Sequence, residues 1–187
     1  MMRKSKPADF GVYRTRPLPT GELHGRFLIS ESLIPDTRRA LVSFATAGLY
    51  DGGHEGMAFW AGREVEGATI LLQVIVPECD HSSGRVMASR EAVGRAARAA
   101  RSAGLGILCQ IHSHPGWDGR HSDGDDDLIL LPFEGMLSVV TPFFGAMFSS
   151  ITRCCVHQFQ DSRWVLCSSE SVVRNFTIVP PMVDLRE

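Results

Sequence analysis

The sequence predicts an α/β fold in which a mixed, mostly antiparallel sheet is flanked by two main helices. Two apolar, β-rich runs at residues 68–77 and 105–115 are typical of strands that are covered on both faces. Residues 89–103 place alanine and valine on one side and arginine on the other, which predicts an amphipathic helix. Short apolar stretches between residues 137 and 180 predict the remaining strands.

The length of 187 residues fits one domain. Residues 1–20 carry lysine, arginine and proline without hydrophobic periodicity, and they predict an N-terminal arm. Residues 21–187 are then a single domain. Apolar residues make up 44% of the chain and charged residues 21%, which suffices for a core without disulfide bonds.

The first half of the chain alternates strand, helix and strand signals. Residues 24–32 predict a short strand, and a helix signal opens at Pro35 and ends near Gly48. Turn residues at 51–53 then precede a strand at residues 56–60.

The second half begins with the clearest helix, at residues 89–103. Ser89 is suited to cap this helix, Glu91 lies in its first turn, and Gly104 ends it. A short acidic helix start follows the strand at 105–115. The later strand segments are residues 137–142, 152–159, 163–168 and 171–180.

Charge and cysteine content exclude several classes of function. The net charge is −2 and the basic residues are scattered, so we expect no nucleic-acid or membrane partner. Apolar runs of the length of a signal peptide or a membrane span do not occur, which predicts a cytoplasmic protein. The five cysteines are odd in number and lack zinc-finger spacing, so we expect reduced thiols and no structural zinc cage.

Two histidines at the end of the apolar run 105–115 are the first chemical signal. His112 and His114 are alternate residues of a strand, so their side chains point to the same face. Burying two imidazoles side by side is unfavourable if either is protonated, whereas neutral imidazoles are good zinc ligands. Pro115 ends the strand where such ligands must meet solvent.

Asp125 is a candidate third ligand. Ser122 and Asp125 lie three residues apart at a helix start, so both side chains can face the strand end. An H-x-H sequence also arises by chance, and Asp-rich loops before helices often only cap and solvate. Asp126 or Asp127 in the same cluster is an alternative ligand. Three protein ligands leave a fourth position for water, as in catalytic zinc sites.

These residues resemble the signature of the JAMM (MPN-domain) metalloprotease family, H-x-H-P followed by S-x-x-D. The family also has an upstream glutamate at the start of a strand after the first helix, and Glu55, followed by Gly56, matches it. The resemblance spans roughly residues 25–180 and implies a single MPN-like domain of the prokaryotic branch.

The resemblance implies a role for each site residue. His112, His114 and Asp125 would hold zinc, Glu55 would shuttle the proton, and Ser122 would donate its hydroxyl to the developing oxyanion. Glu64 and Glu66 are rival bases, but we expect both in a solvated turn beyond the strand at 56–60.

The resemblance also implies a substrate class, namely peptide or isopeptide bonds after the C-terminal Gly-Gly of a ubiquitin-like protein. Such a protein or its conjugates would be the partner, through deconjugation or precursor processing, and some prokaryotic members are linked to antiviral conjugation systems. One alternative is a sulfur-carrier-processing peptidase, and another is a non-catalytic MPN scaffold, which the five retained residue types disfavour. A zinc deaminase would need H-x-E and P-C-x-x-C, and neither occurs.

An apolar segment at residues 142–150 has two interpretations, core packing or a surface that grips a protein substrate through residues such as Phe144 and Met147. His121, next to Ser122, is a candidate to line the substrate channel. The other histidines are predicted to be exposed or hydrogen-bonded polar residues: His24, His54, His81 and His157.

Overall fold

The computed structural model describes residues 14–128 and 132–180, apart from the side chains of Asp51, Asp127 and Leu128. The α-helices of these residues are α1 (Leu33–Ala47), α2 (Arg90–Ser102), α3 (Asp123–Leu128) and α4 (Ser169–Asn175). The strands are β1 (Thr20–Gly21), β2 (Phe27–Ser30), β3 (Met57–Val65), β4 (Ala68–Ile75), β5 (Cys79–Ser82), β6 (Arg85–Ala88), β7 (Gly106–Ser113), β8 (Leu137–Thr141), β9 (Cys155–Gln160), β10 (Arg163–Cys167) and β11 (Phe176–Val179).

Nine strands of the described ranges form one mixed sheet in the order β1-β10-β9-β8-β7-β3-β4-β2-β11. The longest ladders join β3 to β4 and β3 to β7, and both are antiparallel, whereas β7 and β8 pair in parallel. Strands β5 and β6 form a separate hairpin that the sequence did not predict. The predicted α/β fold with a mixed sheet and two main helices is confirmed.

The two long helices cover opposite faces of the sheet. On β3, Trp60 packs in the main core with Leu41 of α1, whereas Met57 and Phe59 pack with Ala96 of α2. Successive strand residues point to opposite faces, so this division follows directly from the pleat. On β7, Ile111 belongs to the α1 side, and His112 therefore points to the α2 side at the end of the strand.

Two strand predictions were wrong in part. Residues 68–77 are not covered on both faces, because a groove between α1 and β4 leaves Leu72 and Val76 about half exposed. Residues 171–180 begin as α4, where Ser168 Oγ accepts a hydrogen bond from the Ser171 N–H. That cap, together with burial of Val172, outweighs the strand preference of the valines.

The 142–150 segment divides between the two interpretations. Phe148 is buried and stacks on Trp60 with ring centroids 6.4 Å apart, so it belongs to the core. Phe143 and Met147 are 45% and 54% exposed and lie on the surface.

All five cysteines lie in the described ranges and are free thiols, and Cys109 is fully buried. Within the part of the chain that the structure describes, no helix combines the length and apolar character needed to cross a membrane.

Candidate metal centre and active site

The two histidines of the H-x-H sequence meet at the end of β7. The Nε2 atoms of His112 and His114 are 3.2 Å apart, and both side chains are buried. Backbone bonds fix this strand end from both sides, because Ser113 N–H donates to Gly56 O and His114 N–H donates to Thr141 O. The imidazoles are therefore held by strand pairing and not by a mobile loop.

Asp125 faces the histidine pair from the first turn of α3. Its Oδ1 lies 3.3 Å from His112 Nε2, and its Oδ2 lies 3.3 Å from His114 Nε2. Ser122 fixes this carboxylate through a capping box: Asp125 Oδ2 accepts bonds from the Ser122 N–H and hydroxyl, and Ser122 Oγ accepts from the Asp125 N–H. The pKa of Asp125 is lowered, because the charges and hydrogen bonds of His112 and His114 outweigh its desolvation.

The donor set fits a tetrahedral zinc ion. Bonds of about 2.0–2.1 Å place neighbouring tetrahedral ligands about 3.3 Å apart, and the two Nε2 atoms are 3.2 Å apart. The Asp125 carboxylate lies 3.3 Å from each nitrogen, through Oδ1 for His112 and through Oδ2 for His114. Two imidazole nitrogens and one carboxylate oxygen are ordinary zinc donors. Ligand atoms from His112, His114 and Asp125 all lie within 4.8 Å of one another.

The outer partner of His114 fixes its tautomer. His114 Nδ1 lies 2.8 Å from the carbonyl oxygen of Asp118, which can only accept, so Nδ1 carries a proton, and the neutral form of the ring has its lone pair on Nε2. The Asp118 carboxylate accepts from the Arg120 guanidinium at 2.7 Å and from the Arg120 N–H at 3.0 Å. The loop that supplies this carbonyl is thereby held in place.

Glu55 lies on the segment that leads into β3, beside the histidines. Gly56 N–H donates to Ser113 Oγ at 2.9 Å, and Glu55 N–H donates to Ser82 O at 2.8 Å. A Cβ at position 56 would lie 2.5 Å from the Phe44 ring, so glycine is needed for this close packing. Burial raises the pKa of Glu55 to about 7; the charge of His114 opposes this rise and that of Asp125 adds to it.

The rival bases lie far from this centre. Glu64 is an exposed residue of β3, not of a turn as expected, and Glu66 lies in the turn before β4. At about 3.3 Å per strand residue, Glu64 is about 30 Å along the strand from Glu55.

A buried polar network packs behind His112. His121 is fully buried, and its ring stacks on His157 with centroids 3.8 Å apart and lies 5.9 Å from that of His112. Its two ring nitrogens contact Asp126 Oδ1 at 3.0 Å and Ser138 Oγ at 2.8 Å. Desolvation lowers the pKa of both His121 and His157, which favours the neutral form of both rings. His121 is thus a buried support, and the hypothesis that it lines an open channel is wrong.

The N-terminal arm contributes to the same network. Arg14 donates to Asp126 Oδ2 at 2.8 Å and to the carbonyl oxygens of His121 and Ser122 at 3.1 and 3.3 Å. Thr15 donates to Asp123 at the start of α3. Residues 14–16 therefore hold the helix that carries Asp125, whereas residues 1–13 of the predicted arm lie outside the described ranges.

The structure brings together the central residues that the sequence singled out, and it adds supporting residues that the sequence analysis did not name. The candidate ligands lie close together: His112, His114 and Asp125. Ser122 is hydrogen-bonded to Asp125. The Asp126 carboxylate instead accepts hydrogen bonds from Arg14 and contacts the His121 ring. The Asp127 side chain lies outside the described part of the chain. The single hydroxyl proton of Ser122 points to Asp125, so its donation to an oxyanion stays a prediction that requires exchange of this bond.

The supports that sequence reasoning missed are Arg14, Asp118 and the His121–His157 stack. Arg14 and His157 lie 107 and 36 residues from His121, so no local spacing could reveal them. His54 and His81 also pair, with their Nδ1 atoms 2.8 Å apart, as hydrogen-bonded polar residues.

Comparison with known families identifies the class of protein. Residues 37–156 match the family described as prokaryotic homologs of the JAB domain. This match covers more than half of the chain, so the chain belongs to that family, and the resemblance to JAMM (MPN-domain) proteins is confirmed.

The chain is also similar to a curated protein, the probable metalloprotease y4jG of Sinorhizobium fredii. The two are 38% identical over 97 residues, which are 50% of this chain and 59% of that protein. The chain thus matches less than two thirds of the relative's length.

Two solved structures share the fold. A protein from Desulfitobacterium hafniense has a TM-score of 0.56 at 14% identity, covering 83% of this chain and 94% of that one. A protein from Salinibacter ruber has a TM-score of 0.51 at 16% identity, covering 85% and 95%. At these identities the likeness concerns the fold alone.

The geometry predicts which aspartate binds the metal. We expect one zinc per chain in the wild type and in Asp126→Asn, and loss of stoichiometric zinc in Asp125→Asn, because two imidazoles cannot hold a tetrahedral ion tightly. Elemental analysis after dialysis measures this. Zinc retained by Asp125→Asn and lost by Asp126→Asn would show that the ligand is Asp126.

The contacts of Arg14 predict a role in metal affinity. Arg14→Met should weaken zinc binding about 10- to 100-fold, the usual cost of losing an outer partner, because α3 loses its anchor. Competition with a chromophoric chelator measures the affinity. Arg98→Met, an exposed change on α2, is the control and should bind zinc like the wild type. Equal zinc affinities of Arg14→Met and Arg98→Met would show that Arg14 does not support the metal site.

Proposed function

We propose that this protein is a zinc-dependent peptidase or isopeptidase of the JAMM type that cleaves after the C-terminal Gly-Gly of a ubiquitin-like protein. The observation that carries this proposal is the placement of Glu55 beside a His-His-Asp group with the spacing of a tetrahedral metal site. A non-catalytic MPN scaffold would gain nothing from burying these ionisable side chains together, which costs desolvation free energy.

His112, His114 and Asp125 would hold the ion. Zinc, when bound, supplies Lewis-acid polarisation and lowers the pKa of a coordinated water to about 7. Three protein ligands leave room for water and substrate.

Glu55 serves as the general base and then as the general acid. It takes a proton from the attacking water and delivers that proton to the leaving amine. Its pKa of about 7, raised by burial, suits both directions of transfer near neutral pH. The backbone here is held by two hydrogen bonds, from Glu55 N–H to Ser82 O and from Gly56 N–H to Ser113 Oγ. These bonds keep the Glu55 carboxylate on the histidine side of β3.

Surface features near the centre support a folded protein as substrate. Phe144 N–H donates to His114 O at 2.8 Å, so the 142–150 segment adjoins the metal centre. The exposed Phe143 and Met147 of this segment offer apolar contact area for a partner. A Gly-Gly tail has no side chains, so its backbone would fit a narrow passage beside the metal ligands. An extended tail would also gain affinity by pairing its main chain with a strand of the protein. A place in an antiviral conjugation system and a cytoplasmic location remain predictions.

The experiment is cleavage of a panel of ubiquitin-like Gly-Gly fusions by zinc-loaded wild type and Glu55→Gln protein. The wild type should release the reporter after Gly-Gly. Glu55→Gln should keep its zinc and lose about 10²- to 10⁴-fold in kcat, because it removes a proton shuttle and not a ligand.

Two outcomes would overturn the proposal in different ways. Ready hydrolysis of unrelated short peptides without cleavage of any fusion would indicate a general peptidase. Loss of zinc from Glu55→Gln would make Glu55 a ligand or a structural residue.

A further inference from the structure

A pair of histidines lies beside the segment that carries Glu55. His54 immediately precedes Glu55, and its Nδ1 lies 2.8 Å from Nδ1 of His81 on β5. At this distance one Nδ1 donates a proton and the other accepts it through its lone pair. The bond joins the segment before β3 to the β5–β6 hairpin, across 27 residues of sequence.

The ring of His54 is packed against the end of α1. A Cβ at position 48 would lie 2.1 Å from this ring, so the ring has its place only because residue 48 is glycine. Gly53 N–H donates to Gly48 O at 2.8 Å and closes the loop between helix and strand. The first histidine of the pair is therefore fixed by the helix end.

The ring of His81 contacts the same helix from the hairpin. Phe44 of α1 meets it edge-on, with ring centroids 5.0 Å apart. The Phe44 ring also packs over Gly56, the residue after Glu55, where a Cβ would lie 2.5 Å from it. The two histidines and Phe44 thus link the hairpin, α1 and both neighbours of Glu55.

A second bond lies next to the histidine pair. Glu55 N–H donates to Ser82 O at 2.8 Å, and Ser82 follows His81 on β5 just as Glu55 follows His54. Two neighbouring bonds set the orientation of a segment, whereas a single bond leaves rotation about it. The histidine pair therefore supplies the second point that a fixed orientation of Glu55 requires.

The hairpin has few other constraints on its orientation. Within the described ranges, β5 and β6 pair only with each other, so no ladder of the nine-stranded sheet positions them. Cys79 and Val86 pack against the apolar cluster of Met57 and Phe59, which holds the hairpin near the sheet without directional bonds. The directional contacts described above are those to His54 and Glu55.

We propose that His54 and His81 are positioning residues for Glu55, acting as a clasp that holds the Glu55 backbone against the hairpin. This inference rests on the proposed function, in which Glu55 moves the proton. The clasp keeps Ser82 O within reach of the Glu55 N–H and so keeps the Glu55 carboxylate aimed at the histidine pair of β7. Without the bond, Glu55 samples other orientations, and a displacement of about 1 Å can cost about 100-fold in rate.

The first measurement is hydrogen exchange of the Glu55 amide in zinc-loaded full-length protein. His81→Leu should speed this exchange about 10-fold, the usual effect of losing one hydrogen bond. The His114 amide, which donates to Thr141 O, should exchange as in the wild type. His24→Leu, the same change at an exposed histidine, is the control and should alter neither amide.

Two further variants separate the bond from the packing. His81→Phe keeps a ring against Phe44 but removes both nitrogens, and it should behave like His81→Leu. His81→Asn places an amide atom near the position of Nδ1 and should restore slow exchange at Glu55.

The second measurement is cleavage of the Gly-Gly fusion that the wild type processes fastest. His81→Leu should keep one zinc per chain and lower kcat about 10- to 100-fold with KM within about twofold, because it disturbs a group that acts in the transition state. His81→Asn should recover most of the lost kcat. In the Glu55→Gln background, His81→Leu should cost nothing further, since it acts only through Glu55.

The outcomes separate the clasp from the proposed function. Glu55 exchange at the wild-type rate in both His81→Leu and His81→Phe would overturn the clasp, and so would a further loss of kcat from His81→Leu in Glu55→Gln protein. Cleavage of no fusion by the wild type would overturn the proposed function. Faster exchange of the Glu55 amide in His81→Phe, reversed in His81→Asn, would still support the clasp in that case.

Discussion

The constraint on which this structure depends is the burial of two imidazoles and a carboxylate within about 3.3 Å of one another at the end of β7. Removing such groups from water costs several kcal/mol per charge unless they are paired or bind a metal. Ser113 N–H donates to Gly56 O and His114 N–H donates to Thr141 O, so the backbone that carries the two imidazoles is fixed from both sides. A cation bound between these three side chains would offset the electrostatic cost of burying them together.

The surrounding elements follow from that constraint. The Asp118 carbonyl fixes the proton of His114, Ser122 fixes the carboxylate of Asp125, and the His121–His157 stack fills the space behind His112. The Asp118 and Ser122 contacts, together with the hydrogen bond from His121 N–H to His157 Nε2, give partners to polar atoms that burial removes from water. Arg14 then joins the N-terminal arm to the helix that carries the third ligand. The metal centre and the arm are thus parts of one hydrogen-bonded unit.

Sequence reasoning succeeded where the signal is local and failed where it depends on distant contacts. The H-x-H spacing on an apolar strand and the S-x-x-D capping box are short patterns with one geometric outcome each, and both appear as expected. Helix α2 was also predictable from local sequence signals, because Ser89 caps it and alanines form its buried face. By contrast, the exposure of β4 and the burial of Val172, which helps to make residues 169–175 helical, depend on packing that no local pattern encodes. An apolar cleft beside His112 and Asp125 was missed for the same reason, since its lining comes from six separate segments of the chain.

The coordination of the bound ion tests this account most directly. X-ray absorption of the zinc-loaded protein should show two imidazole nitrogens and oxygen ligands at about 2.0–2.2 Å. Asp125→Asn protein should lose that spectrum under the same loading. A shell of sulfur at about 2.3 Å, drawn from any of the five cysteines, would contradict the assignment of His112, His114 and Asp125.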